Sequence, residues 1–159
     1  MTQLGLLCFE QRMVLDCPLP WVRLGQGWVC VLEPVCCPGQ EWERLGMLGR
    51  LLSMAVVVVG HNLSFDFRAL APLWSRARLP MPVCTVLDTL WLARLEGIAG
   101  PLDLASLCGS LGLPSLRAEH PRVVADVLMT HAAAQALTRR VGRREAMACA
   151  RRVSWGTPF

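Results

Sequence analysis

Ala55-Val56-Val57-Val58-Val59-Gly60-His61-Asn62-Leu63-Ser64-Phe65-Asp66 is the stretch that decides the fold class. Its unbroken apolar, largely β-branched run reads as a strand covered on both faces, the pattern of a sheet sandwiched between helices. The run ends at Gly60-His61-Asn62, and a helical pattern begins near Ser64, with Phe67, Leu70 and Leu73 on one stripe. A buried strand feeding directly into a helix is the building unit of an α/β domain.

Working outward, the N-terminal side holds three apolar runs, Leu4 to Phe9, Met13 to Leu15 and Trp28 to Leu32, the last after the turn signal Gly25-Gln26-Gly27. They read as successive strands bounded by Pro18, Pro20 and Pro34, with Pro38-Gly39 closing the region. From Glu41 to Leu52, Trp42, Leu45, Leu48 and Leu52 give helical spacing with one buried stripe. On the C-terminal side, Pro80 and Pro82 precede a short strand from Val83 to Val86, and a helix follows from Asp88 to Leu95. Asp103 is placed to cap a helix carrying Leu104, Leu107, Cys108 and Leu111. Pro121 opens the last long helical pattern, through Val124, Val127, Leu128, His131 and Leu137, with His120 just outside it. The order predicts one α/β domain, a mixed β-sheet flanked by helices.

Composition narrows the class. The chain has 159 residues, enough for one domain with a substantial core. Although 53% of it is hydrophobic, the longest apolar run, Met54 to Val59, is far shorter than the roughly 18 residues of a membrane span. The N-terminus has no positive region ahead of its short apolar stretch, so no secretory signal is expected and the reading is intracellular, cytoplasmic and without a membrane partner. The eight cysteines are scattered, several within apolar runs, and no Cys-x-x-Cys occurs; they read as small buried hydrophobes rather than disulfides or zinc ligands. All sixteen basic residues are arginine, and Arg139, Arg140, Arg143, Arg144, Arg151 and Arg152 crowd the last twenty-one positions. Such a cluster serves either as a solvated helix face or as a phosphate-contacting surface.

Three fragments carry the candidate chemistry: Gly60 to Asp66, Val83-Cys84-Thr85-Val86-Leu87-Asp88-Thr89, and His120 through Asp126 leading into an alanine-rich helix. Singly, each reads as a carboxylate capping a helix. In this order and at these separations they resemble the second and third motifs of the DEDDh 3′→5′ exonucleases, a ribonuclease H-like family that includes the proofreading subunit of the bacterial replicative polymerase and ribonuclease T. His61-Asn62-Leu63-Ser64-Phe65-Asp66 is similar to the family's His-Asn-x-x-Phe-Asp, and Leu102 through Leu113 to its helix ending in Gly-Leu. The resemblance covers residues 50 to 138.

That resemblance implies a ribonuclease H-like domain over residues 1–138 and an arginine-rich C-terminal helix or tail over 139–159. It implies a metal-dependent exonuclease hydrolysing phosphodiester bonds at the 3′ ends of single-stranded DNA or RNA, in proofreading or trimming, with a DNA polymerase subunit as a protein partner. Asp66 and Asp126 would be acids of a two-metal Mg2+ or Mn2+ site, with His120 as the general base; Asn62 and Phe65 would shape the motif. The third motif has five residues between His120 and Asp126 where the family commonly has four, an offset of about 100° within a continuous helix. The family's first motif, Asp-x-Glu, occurs nowhere in the chain. Two placements compete within residues 1–20: Cys8-Phe9-Glu10 keeps the glutamate, and Asp16-Cys17-Pro18 keeps the aspartate. Glu10 fits the opening strand better and is taken as the third metal ligand, whereas a Cys8 thiolate is too soft for magnesium. The alternative implied by this erosion is a catalytically impaired member that binds nucleic acid or a polymerase partner.

Overall fold

The computed structural model describes residues 4–8, 22–24, 27–32 and 41–154, with side chains from 42 to 154. Its strands form two three-stranded sheets. β1 (Leu4–Cys8), β2 (Val22–Leu24) and β3 (Gly27–Leu32) make an antiparallel sheet in the order β1-β3-β2, with Leu24 opposite Gly27. β2 is a strand that sequence periodicity does not reveal, because Val22-Arg23-Leu24 is too short to show alternation. The expected strand at Met13 to Leu15 lies outside the described residues, as do Glu10 and Asp16.

The second sheet is mixed. β4 (Val58–Gly60) runs parallel to β5 (Val83–Asp88), and β6 (Arg151–Ser154) pairs antiparallel with β5 on its other side. Among the described residues, six helices accompany these strands: α1 (Glu41–Met54), α2 (Leu63–Ala77), α3 (Thr89–Leu95), α4 (Leu104–Ser110), α5 (Arg122–Val141) and α6 (Arg143–Ala148). The chain is therefore α/β, but β1 and β4 are not hydrogen-bonded to each other, so the expected single mixed sheet is divided in two. Helix α5 packs against β1, β3 and β4 and so touches both sheets. Among the described residues, no helix is long and apolar enough to cross a membrane.

Alternation along β5 separates two cores. Cys84 and Val86 point into a cluster with Leu45, Leu48 and Leu52 of α1 and Phe67, Leu70 and Trp74 of α2. Leu87 points the other way, into a cluster with Leu92, Leu107, Met129, Ala133 and Leu137. The helical stripe expected on α2 is found, except that its last buried member is the wholly enclosed Trp74 rather than Leu73. Trp42, expected in the buried stripe of α1, is 39% exposed.

The strand at Ala55 to Val59 departs from expectation. Pairing begins only at Val58, because α1 runs on to Met54 and residues 55–57 become the connection. Val56 is 87% exposed and Val59 40% exposed. β4 is therefore not covered on both faces; among the described strands it has one hydrogen-bonded neighbour, and within it only Gly60 is buried. The caps fare better: the Asp103 side chain accepts from the Ser106 backbone N–H, as an N-cap should. Cys84 and Cys108 are buried and Cys149 half-buried, all as free thiols. The 138/139 boundary falls inside α5, and residues 151–154 pair with β5 in the second sheet.

Because Trp74 fills the space between α1, α2 and β5, Trp74→Ala is expected to lower stability by about 3–5 kcal/mol, read from a urea unfolding midpoint.

Candidate functional site

The register of the parallel pair sets Gly60 opposite Asp88, so β4 and β5 end side by side. Each then turns into a helix, α2 and α3, whose first N–H groups lack partners within the helix. The Asp88 carboxylate, 2% exposed, supplies partners to both. Oδ1 accepts from the Asn62 N–H and the Leu90 N–H, each at 2.9 Å, and Oδ2 accepts from the Leu63 N–H at 2.8 Å. Two helix N-termini and three N–H donors are what make a buried carboxylate tenable here. The turn into α2 needs a left-handed residue, which Asn62 provides at φ 60°; a Cβ on Gly60 would overlap the Leu63 side chain.

His61 closes the same corner. Its Nδ1 lies 2.8 Å from Oγ1 of the fully buried Thr89, and its ring also faces the Leu102 carbonyl. Burial lowers the imidazole's pKa, although Asp88, the Leu102 carbonyl, Asp103 and Asp126 all pull the other way. His61 thus lies within electrostatic reach of Asp88, Asp103 and Asp126.

Asp66 sits in the first turn of α2, part-buried beside this corner. Burial pushes its carboxyl up to about 6, and the neighbouring Asp88 charge adds to the rise; its own backbone N–H acts against them. Phe65, expected to shape the motif, is 59% exposed and presents its ring to solvent.

The other predicted residues are arranged differently. His120 lies in the turn before Pro121, the N-cap of α5, outside the helix that carries Asp126. No side-chain hydrogen bond joins His120 to Asp66 or Asp126. Asp126 accepts from Arg117 through Oδ1, at 3.0 Å from Nε and 2.9 Å from Nη2, and Arg122 stands 3.9 Å from Oδ2. Among the described residues, no three His, Cys, Asp or Glu side chains are grouped as a metal site would need. Hard divalent cations take six or more oxygen ligands, several of them carboxylate or water. Asp88 has its oxygens committed to three backbone N–H groups and Asp126 to an arginine. The described donor set alone does not fit a two-metal centre. An open groove of about 530 Å³, lined by Trp42, Met47, Arg50 and Leu79 among others, lies against α1, apart from these acids.

Comparisons with protein-family models, with curated proteins and with solved structures find no match to this chain. Asp88 and Arg117 were the site residues sequence reasoning missed as such. Asp88 carried a signal, since an aspartate directly before Thr89-Leu90-Trp91-Leu92 is a helix cap; Arg117 carried none.

Two outcomes follow from this geometry. Asp88→Ala leaves three buried or part-buried N–H groups unpaired and should cost about 3–5 kcal/mol in chemical denaturation, with Asp88→Asn costing less. For Asp66, the folded pKa of about 6 lies above the ordinary 3.8, so the folded state holds the proton more tightly and stability falls as pH rises through that interval. Asp66→Asn should therefore stabilise the protein by about 1–2 kcal/mol above pH 7 and give no gain at pH 3, measured by unfolding across pH.

Proposed function

We propose that this chain is a cytoplasmic, metal-dependent 3′→5′ exonuclease of the ribonuclease H-like, DEDDh type, acting at the 3′ ends of single-stranded DNA or RNA in proofreading or trimming. The observation that carries the reading is the juncture of β4 and α2. There the exposed ring of Phe65 stands next to the part-buried Asp66, where the two parallel strands end. Open α/β sheets bind ligands at the carboxyl ends of their strands, and an exposed aromatic ring stacks a nucleobase whatever its sequence. Asp66 pays for its position with an unfavourable charge, which a binding or reacting group would relieve.

In this reading Asp66 and Asp126, with Glu10 as the remaining acid, would hold Mg2+ or Mn2+, which would supply charge stabilisation, and His120 would serve as the general base. A single mixed sheet would form by joining β1 to β4, each an edge of its own sheet, and the packing of α5 on both strands supports that arrangement. A DNA polymerase subunit is the protein partner that the same resemblance brings.

A second reading has its own observation. The Arg117–Asp126 ion pair neutralises one of the required carboxylates, which favours a member that holds nucleic acid or a polymerase partner without cutting.

A 5′-labelled single-stranded oligonucleotide with Mn2+ or Mg2+ separates the two. The first reading expects a ladder shortening from the 3′ end, lost in chelator and in Asp66→Asn, and slowed about a hundredfold or more in His120→Ala. Oligonucleotide that stays bound and full-length with the folded wild-type chain would establish the second.

A further inference from the structure

The net charge of the chain has one source. Residues 139–159 hold six arginines against one glutamate, while residues 1–138 hold ten arginines against eleven acidic residues. Four of the six arginines lie at the corner where α5 ends and α6 begins. Arg139 and Arg140 close α5, Gly142 turns the chain at φ 91°, and Arg143 and Arg144 open α6; all four are exposed.

This corner is held stiffly. Leu137 on one side and Ala146 on the other are both fully buried in one core, and the Gly142 N–H and carbonyl bond to Thr138 and Ala146 at 3.0 and 2.9 Å. None of the four arginines makes an ion pair with a described acidic residue. The one nearby acid, Glu145, turns its carboxylate back over Gly142 instead. Stability explains only half of the cluster. Cations favour a helix C-terminus, which suits Arg139 and Arg140, but they are unfavourable at a helix start, where Arg143 and Arg144 stand. Four unpaired guanidinium groups within six residues repel one another, and a polyanion removes that repulsion.

We infer that the α5–α6 corner is a docking surface for the phosphodiester backbone of single-stranded nucleic acid. Guanidinium groups pair with phosphate oxygens in forked geometry and carry no base preference, so the surface grips a strand irrespective of sequence. Asp126 lies thirteen residues earlier on the same helix, about 20 Å away, so the corner holds the body of a strand and not its 3′ end. The inference does not depend on cleavage.

The test is binding of a fluorescein-labelled oligonucleotide to the full chain, by anisotropy in chelator across a salt series. Four phosphate contacts predict a fall in affinity of about fiftyfold between 50 and 200 mM salt. Replacing Arg139, Arg140, Arg143 and Arg144 by Gln should weaken binding at least tenfold at 50 mM salt and flatten the salt dependence, while replacement by Lys should keep most of both. Replacing Arg50, Arg76, Arg78 and Arg94 by Gln removes the same charge elsewhere and should change affinity less than threefold. Equal loss in the two glutamine sets would overturn the inference, because net charge alone would then account for binding. So would capture of anionic vesicles without capture of oligonucleotide. An oligonucleotide bound through the corner but never cut leaves the docking surface standing and removes the nuclease reading.

Discussion

One carboxylate organises the centre of this molecule. Asp88 ends β5, caps α3 and, through the Asn62 and Leu63 N–H groups, also caps α2, which begins more than twenty residues earlier. The parallel pairing of β4 and β5, the direction of both helices and the position of the candidate site all depend on that charge. A buried carboxylate is costly unless fully satisfied, and here two helix N-termini satisfy it. His61 and Thr89 brace the same corner through a second contact between the two strand ends.

The site around this hub is electrostatically unfinished. Asp88 is matched with three donors, but Asp66 close by is not, and burial together with the Asp88 charge lifts its carboxyl to about 6. Asp126, by contrast, is matched by Arg117 across nine residues of sequence. Asp88, Asp66 and Asp126 thus occupy three different states: a cap with three N–H donors, a part-buried acid whose charge is disfavoured, and a surface ion pair. Groups held at an energetic cost mark functional positions more often than satisfied ones do. The arginine corner belongs to the same category, since its like charges are gathered without acidic partners.

The helices were largely legible in the sequence, for a physical reason. Spacing of Leu45, Leu48 and Leu52, of Phe67 and Leu70, and of Leu104, Leu107 and Cys108 reports burial on a 3.6-residue period, and the structure buries those residues. The Asp103 cap and the start of α5 after Pro121 were legible because capping is local. The strands were harder. The valine run looked like a buried strand because β-branching reports strand preference, not coverage; most of it became a connection and an edge. β2 was too short to show any period.

By itself the sequence determined which segments are helical, where several of them begin, and which acids and histidines are available, because each of those follows from residues within a few positions of one another. Tertiary structure decided what each of those groups became. The register that sets Gly60 beside Asp88 made Asp88 the shared cap, brought His61 near that carboxylate, and left Phe65 open to solvent. Folding of the turn before α5 gave Arg117 to Asp126. These assignments rest on contacts between residues far apart along the chain, and on how much water each group keeps, neither of which a local pattern encodes.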